Sequence, residues 1–407
     1  MDILIAGGGA AGFMAAIAAA ESSHDARVII AEKSPNVLSK VRISGGGRCN
    51  VTHRPIPAGD FARNYPRGER FLKKILHAFG PEDVIHWFES RGVPLKTEPD
   101  GRVFPRSDNS ESIIRCLTDE AARLGVRVRT RMGIDDWTYM SGDRKFDVVF
   151  SDGSRQQFDR LILATGGFPK SSSYEWLRKQ QLKVEDPVPS LFTFNSPGNP
   201  ITRLQGVSVP NARIKINGTK LDWRGPLLIT HWGFSGPAVL KLSAWGARVL
   251  EEKNYRFEIS IHWQDDKSPE MLRSLWTGWR DRKVQAMIVN QPGLELPSRL
   301  WKFLVSEAGI DEGHRWADIS NKAIERLVSF TCHHQHLISG KTTFKEEFVT
   351  CGGITLDQID HTTMACKKMP GLFFAGELID VDGITGGFNF QNAWTTGYLA
   401  GMSATKC

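Results

Sequence analysis

The sequence predicts an α/β protein whose two ends build one domain, interrupted first by a β-rich region and then by a helical one. Three observations carry that expectation. The chain opens on a strand–glycine loop–helix unit. Its tail returns to a buried strand, an acid and a glycine-rich turn leading into a helix. Between them the pattern changes at about residue 190 to short strands and turns, and at about 268 to tryptophan-rich helices.

At the N-terminus, Asp2 to Ala6 is an apolar run of strand length, and Gly7, Gly9 and Gly12 follow with G-x-G-x-x-G spacing. Each glycine has a separate purpose: a tight turn at Gly7, close approach of a pyrophosphate at Gly9, and helix-on-strand packing at Gly12. Ala10 to Ala20 then favours a helix, whose first N–H groups, at Ala10 and Ala11, can meet an anion. A second strand, Arg27 to Ala31, ends at Glu32, about 20 residues after Gly12, where a carboxylate can hold ribose hydroxyls. An acid there suits an unphosphorylated ribose, hence FAD or NAD rather than NADP.

The chain has 407 residues, 41% hydrophobic and 24% charged, with a formal net charge of +7. Its length implies more than one hydrophobic core. The modest basic excess permits nucleic acid or an anionic substrate, while a solvated basic surface is its ordinary meaning. Six cysteines without a C-x-x-C pair, and no signal-like or membrane-length segment, suggest reduced thiols in a cytoplasmic protein.

Ser44-Gly45-Gly46-Gly47-Arg48-Cys49-Asn50 reads as a loop able to lie against a flat or anionic ligand, with Arg48 as a countercharge. Arg48 could also lower the Cys49 pKa. Two helices follow between 67 and 92, split at Gly80-Pro81, then a hairpin at Pro99-Asp100-Gly101 and a helix over 110–124. Strands are expected at 126–130, 145–150 and 156–158. The strand Arg160 to Leu163 runs into Ala164-Thr165-Gly166-Gly167, a turn small enough for a cofactor to approach. The domains expected are 1–190 and 345–407 for the first unit, 191–267 for the β-rich insert and 268–344 for the helical one.

His231, beside Trp232-Gly233, is a candidate acid or base or else a structural histidine. Cys332-His333-His334-Gln335-His336 matches no common zinc spacing, and no metal is expected. In the tail, Glu347 to Thr350 leads to Cys351-Gly352-Gly353. The strand at 371–375 ends at Gly376-Glu377, and Gly383, Gly386, Gly387, Asn389 and Gln391 open a helix from about 390 to 401. A helix N-terminus there would stabilise negative charge on a reduced flavin, and Glu377 could accept from a ribityl or ribose hydroxyl.

IAGGGAAG, SGGGRCN, DGRVFP, ATGG, THWGFSGPAVL, VTCGGI and GLFFAGELIDVDGITGGFNFQNAW together resemble the BaiN-like (YhiN-type) flavoprotein family over nearly the whole chain. The resemblance implies a glutathione-reductase-type FAD-binding fold, Rossmann-like, with a β-barrel-like and a helical insertion. It implies that Gly7, Gly9 and Gly12 meet the pyrophosphate, and Glu32 and Lys33 the adenosine. Gly45, Gly46, Arg48, Cys49 and Asn50 would lie along pyrophosphate and ring, and Thr165 and Gly166 beside the adenosine. Gly376, Glu377, Gly386, Gly387, Asn389 and Gln391 would line the ribityl and isoalloxazine. His53 stands where relatives usually carry Asn.

The function expected is FAD-dependent hydride transfer at flavin N5, with NAD(P)H or another reductant as donor. The resemblance suggests reduction of a ring C=C such as uracil in ribosomal RNA, with Cys49 or His231 as proton donor. Alternatives are oxidation of small amines such as aminoacetone, and a non-catalytic flavoprotein that presents an RNA- or partner-binding surface.

Overall fold

A computed structural model describes residues 1–343 and 349–406; Glu347 and Cys407 lie outside the described residues. The chain divides into two compact units, Met1–Ser190 with Lys345–Cys407, and Leu191–Phe344.

The first unit is built on a five-stranded parallel sheet. Its elements are β1 (Asp2–Ala6), α1 (Ala10–Ser22), β2 (Arg27–Ala31), β3 (Arg127–Arg129), β4 (Arg160–Leu163), β5 (Leu372–Phe374) and the last helix, α2 (Phe388–Ala404). The strand order is β5-β4-β1-β2-β3, so the central position belongs to the first strand of the chain. Covered on both faces, β1 is apolar without alternation, with Ile3, Leu4 and Ile5 fully buried. The alanine-rich α1 is buried from Ala11 to Ala20, the expected fate of a helix apolar all round.

Smaller pieces surround this sheet. The hairpin Leu95–Thr97 and Arg102–Pro105 turns at Gly101 and pairs with Thr52–His53. Ile134–Met140, Lys145–Phe150 and Arg155–Phe158 form an antiparallel meander. Gly80 starts the helix Pro81–Glu89, its N–H donating to Asp83 Oδ2 at 2.7 Å. Val349–Ile354 pairs with Val184–Ser190.

The second unit contains a wholly antiparallel seven-stranded sheet. Its two outermost strands, His334–Ser339 and Lys341–Thr342, are separated only by Gly340. One continuous segment therefore pairs at both edges, and the sheet closes on itself around Phe194, Ile214, Ile229, Ile259 and Trp263. A helical part packs around Trp276, Trp301 and Trp316. Their indole N–H groups donate to the carbonyls of Pro292, Ile288 and Gln291, so the large rings are buried with their polar atoms satisfied.

Candidate functional site

In the first unit the three fingerprint glycines have three different environments. Gly7 has φ +108°, and a Cβ there would stand 2.4 Å from the Ala164 carbonyl oxygen. A Cβ on Gly12 would stand 1.9 Å from Gly7 O. Among the described residues nothing lies within 4 Å of a Cβ position on Gly9. Gly9 is also the N-cap of α1 and supplies no side-chain cap, while the first helical bond runs from Phe13 N–H to Gly9 O at 3.0 Å. The N–H groups of Ala10, Ala11 and Gly12 therefore have no partner within the helix and carry the positive end of its dipole.

Glu32 braces this loop. Its Oε2 accepts from Gly8 N–H at 2.8 Å and its Oε1 from Ser34 N–H at 2.7 Å. A carboxylate has about four acceptor sites, so capacity remains for ribose hydroxyls. Lys33 is exposed, its ammonium 5.4 Å from the Phe168 ring centre. Thr165 and Gly166 follow β4, and Gly166, at φ +75°, faces open space.

Segment 44–50 is not a plain loop. A helix from Ser39 breaks at Ser44, and Gly45, Gly46 and Gly47 continue with φ of +59°, +69° and +83°. Gly46 and Gly47 have open space at their Cβ positions, which leaves their backbone accessible. Arg48 turns away to Glu98, at 2.7 Å, and lies 4.0 Å over the Phe104 ring. The hydrogen bond to Glu98 raises the Arg48 pKa. Its charge is engaged by an acid of the neighbouring hairpin.

Two of the motif side chains lie in the core. Cys49 is wholly buried, and burial pushes its thiol up to about 12, the hydrogen bond to Ser44 opposing this. Arg48 is not among the groups that lower it. Gln391 is also wholly buried: its Oε1 accepts from Thr52 Oγ1 at 2.6 Å, and its Nε2 donates to Thr395 Oγ1 at 3.0 Å and Phe79 O at 3.3 Å. It anchors α2 in the core rather than lining a ligand. Asn50 has a similar bracing place, its side-chain oxygen accepting from Gly387 N–H at 2.8 Å and its amide donating to Thr52 O at 2.9 Å.

The tail segment forms a second helix entrance. Gly386 and Gly387 have φ of +127° and +93°, and a Cβ on Gly387 would stand 2.4 Å from Thr52 O. Asn389 closes the approach, accepting from Gly383 N–H at 2.8 Å and donating to Gly383 O at 2.9 Å. Tyr65 Oη donates to Phe388 O at 2.7 Å. Arg67 pairs with the fully buried Asp382, which also accepts from Ser190 Oγ at 2.8 Å. Gly376, at φ +72°, packs on Ala11, and its N–H donates to Thr396 Oγ1 at 2.8 Å. Glu377 accepts from Thr350 N–H at 2.8 Å and pairs with Lys40 at 2.5 Å. Thr52, Tyr65 and Arg67 were not foreseen, since none stands in a motif and each acts across a long sequence separation, whereas Asp382 stands in the tail motif and only its pairing with Arg67 was hidden.

The two helix entrances face the same way. Positions for Cβ on Gly397 and Gly401 fall 2.5 and 2.2 Å from the carbonyl oxygens of Ala11 and Ala15. This rising register makes α1 and α2 parallel neighbours. Phe388 starts nine residues before Gly397, so at 1.5 Å per residue α2 extends roughly 13 Å beyond the level of Ala11. Two uncapped N-termini thus stand staggered along one direction, with accessible Gly9 at the first. His53 sits by the second, 4.9 Å from the Phe388 ring and with Nδ1 3.2 Å from Gly386 O. His231 is exposed on a turn of the other unit, its ring edge-on to Trp232.

Comparison with known proteins places the chain among relatives of its own length. It is 28% identical over 410 residues to a 3-dehydro-bile acid delta(4,6)-reductase of Clostridium scindens, covering 99% of this chain and 98% of that protein. It is 28% identical over 417 residues to a ribosomal RNA dihydrouridine synthase of Haemophilus influenzae, with the same coverage. In fold it is similar to the 3-ketosteroid-delta4-(5alpha)-dehydrogenase of Rhodococcus jostii RHA1, with a TM-score of 0.53 and 14% identity, covering all of this chain and 97% of that one. Residues 1–403 match the family described as HI0933-like protein Rossmann domain. The chain belongs to the HI0933-like family and has its Rossmann-type α/β fold.

Proposed function

We propose that the protein is an FAD-dependent oxidoreductase that reduces a ring carbon–carbon double bond, with uracil in ribosomal RNA as the substrate. The observation that carries this reading is the pair of parallel, staggered, uncapped helix N-termini of α1 and α2. The first suits a pyrophosphate and the second the electron-rich edge of a flavin ring. When bound, FAD would supply hydride transfer at N5.

The protein's own residues have four tasks. Gly7, Gly9 and Gly12, with the N–H groups of Ala10 and Ala11, hold the pyrophosphate, and Glu32 with Lys33 takes the adenosine side beside Thr165 and Gly166. Gly45 and Gly46 offer backbone to the ligand, while Arg48, Cys49, Asn50 and Gln391 shape and brace that surface. Gly376, Glu377, Gly386, Gly387 and Asn389 set the ribityl and ring end. His231 is the proposed proton donor: reduction adds hydride to one ring carbon and a proton to its neighbour, and His231 is an exposed imidazole.

The names of the two relatives, a reductase and a dihydrouridine synthase, support reduction over amine oxidation, and the net charge of +7 suits an RNA substrate. NAD(P)H is the proposed donor. The test is anaerobic mixing of the purified flavoprotein with NADPH or NADH, followed by ribosomal RNA. Bleaching of the flavin and formation of dihydrouridine are expected. Fast reoxidation by oxygen with peroxide release would assign an oxidase instead. A protein that takes up no FAD would end the reading.

A further inference from the structure

The inserted unit contains an open-sided pocket of about 330 Å³, to which His334, His336, Asn199, Phe303 and Glu307 contribute. His334 and His336 alternate with outward residues on the closing strand, so both rings turn inward, where each residue is only 5% exposed. Their ring centres lie 4.1 Å apart. Such a pair invites a metal reading, but among the described residues no group of three or more His, Cys, Asp or Glu is placed to hold one.

Hydrogen bonding fixes the protons on both rings. Trp263 Nε1 can only donate, and it donates to His334 Nδ1 at 3.1 Å. Asn199 uses its oxygen to accept from Ile201 N–H at 3.1 Å, which directs its amide Nδ2 to His336 Nδ1 at 2.9 Å. Both Nδ1 atoms are therefore acceptors, and each neutral ring carries its proton on Nε2. A second proton on either Nδ1 would oppose the donor already there. Burial acts in the same direction, lowering His334 to about 4 and His336 to about 2, the latter helped by His334. The His336 Nε2–H is enclosed and finds no acceptor among the described residues. An enclosed donor without a partner is costly, so any group that satisfies it is bound the more firmly.

We infer that this pocket is a binding site for an uncharged ring compound bearing a carbonyl, whose oxygen accepts from the Nε2–H groups of His336 and His334. The apolar wall at Phe303 suits a ring, and the Glu307 carboxylate disfavours an anion. The residues of the site all belong to the second unit.

The test uses the full chain labelled with 15N-histidine, titrated separately with uracil and with cyclohex-2-enone at millimolar concentration. Long-range 1H–15N correlation at pH 7 should show Nε2–H tautomers for both histidines, assigned with His336→Phe. Either probe should shift them. His336→Phe should weaken binding at least about tenfold. Glu307→Trp, at an exposed helix end, should do the same by narrowing the mouth without disturbing the fold. Nδ1–H tautomers, no shift with either probe, or unchanged affinity in Glu307→Trp would overturn the assignment. So would Zn²⁺ binding that removes both Nε2 protons, which would make the pair a metal site.

Discussion

Gly397 of α2 lies so close to Ala11 of α1 that a Cβ on it would stand 2.5 Å from the Ala11 carbonyl oxygen. With Gly401 against Ala15, this contact holds the first and last helices parallel and sets the stagger of their N-termini. Gly397→Ala and Gly401→Ala must push the helices apart, because the obstacle is backbone. Each is expected to lower stability by roughly 1–3 kcal/mol in urea unfolding and to weaken flavin retention. Wild-type stability in both would contradict the helix contact.

Gly7 and Gly9 separate folding from ligand binding. Gly9→Ala meets open space at an ordinary backbone angle (φ −92°), so its melting curve should match the wild type while FAD affinity falls. Gly7→Ala faces both φ +108° and the Ala164 carbonyl, and should lose stability as well. The check is calorimetry of each apoprotein followed by FAD titration. Equal FAD affinity in Gly9→Ala and wild type would reject the pyrophosphate assignment.

Cys49 and His231 differ in access. With its thiol buried and raised to about 12, Cys49 should resist iodoacetamide in the folded protein, and Cys49→Ala should retain ring reduction. His231→Ala should keep bound flavin and its bleaching by reductant yet lose dihydrouridine formation. Full activity in His231→Ala would remove it from the mechanism.

His334 and His336 make stability depend on pH. Their folded pKa values of about 4 and about 2 lie below the ordinary 6.5, so the unfolded chain binds more protons once pH falls below 6.5. Their contribution is present above 6.5 and declines as pH falls toward 4, at up to about 1.4 kcal/mol per unit for each ring. The urea midpoint should therefore drop between pH 6.5 and 5, and the His334→Phe/His336→Phe protein should show a shallower slope.

The Arg67–Asp382 pair fixes the segment that leads into α2. Burial raises the Asp382 carboxyl pKa while Arg67 opposes that. Arg67→Met would leave a buried carboxylate without its partner, at a cost of about 3–5 kcal/mol, whereas the double variant Arg67→Met/Asp382→Leu should recover part of it. Additive losses in a double-mutant cycle would show that the two side chains do not couple.

The sequence by itself determined the opening βαβ unit and the family. Strand-length apolar runs, glycine spacing and an alanine-rich helix are local properties, set by backbone sterics and by which faces must leave water. Gly7 and Gly12 stand at the tight turn and the close packing that their spacing implied. Only the tertiary structure decided what the polar side chains of the motifs do. Cys49 and Gln391 belong to site-like strings yet lie in the core, and Arg48 is held by Glu98, because burial and pairing depend on partners brought from distant segments. The same holds for Ala11 and Gly397: composition marks both as small, but their contact arises when the chain's two ends pack together.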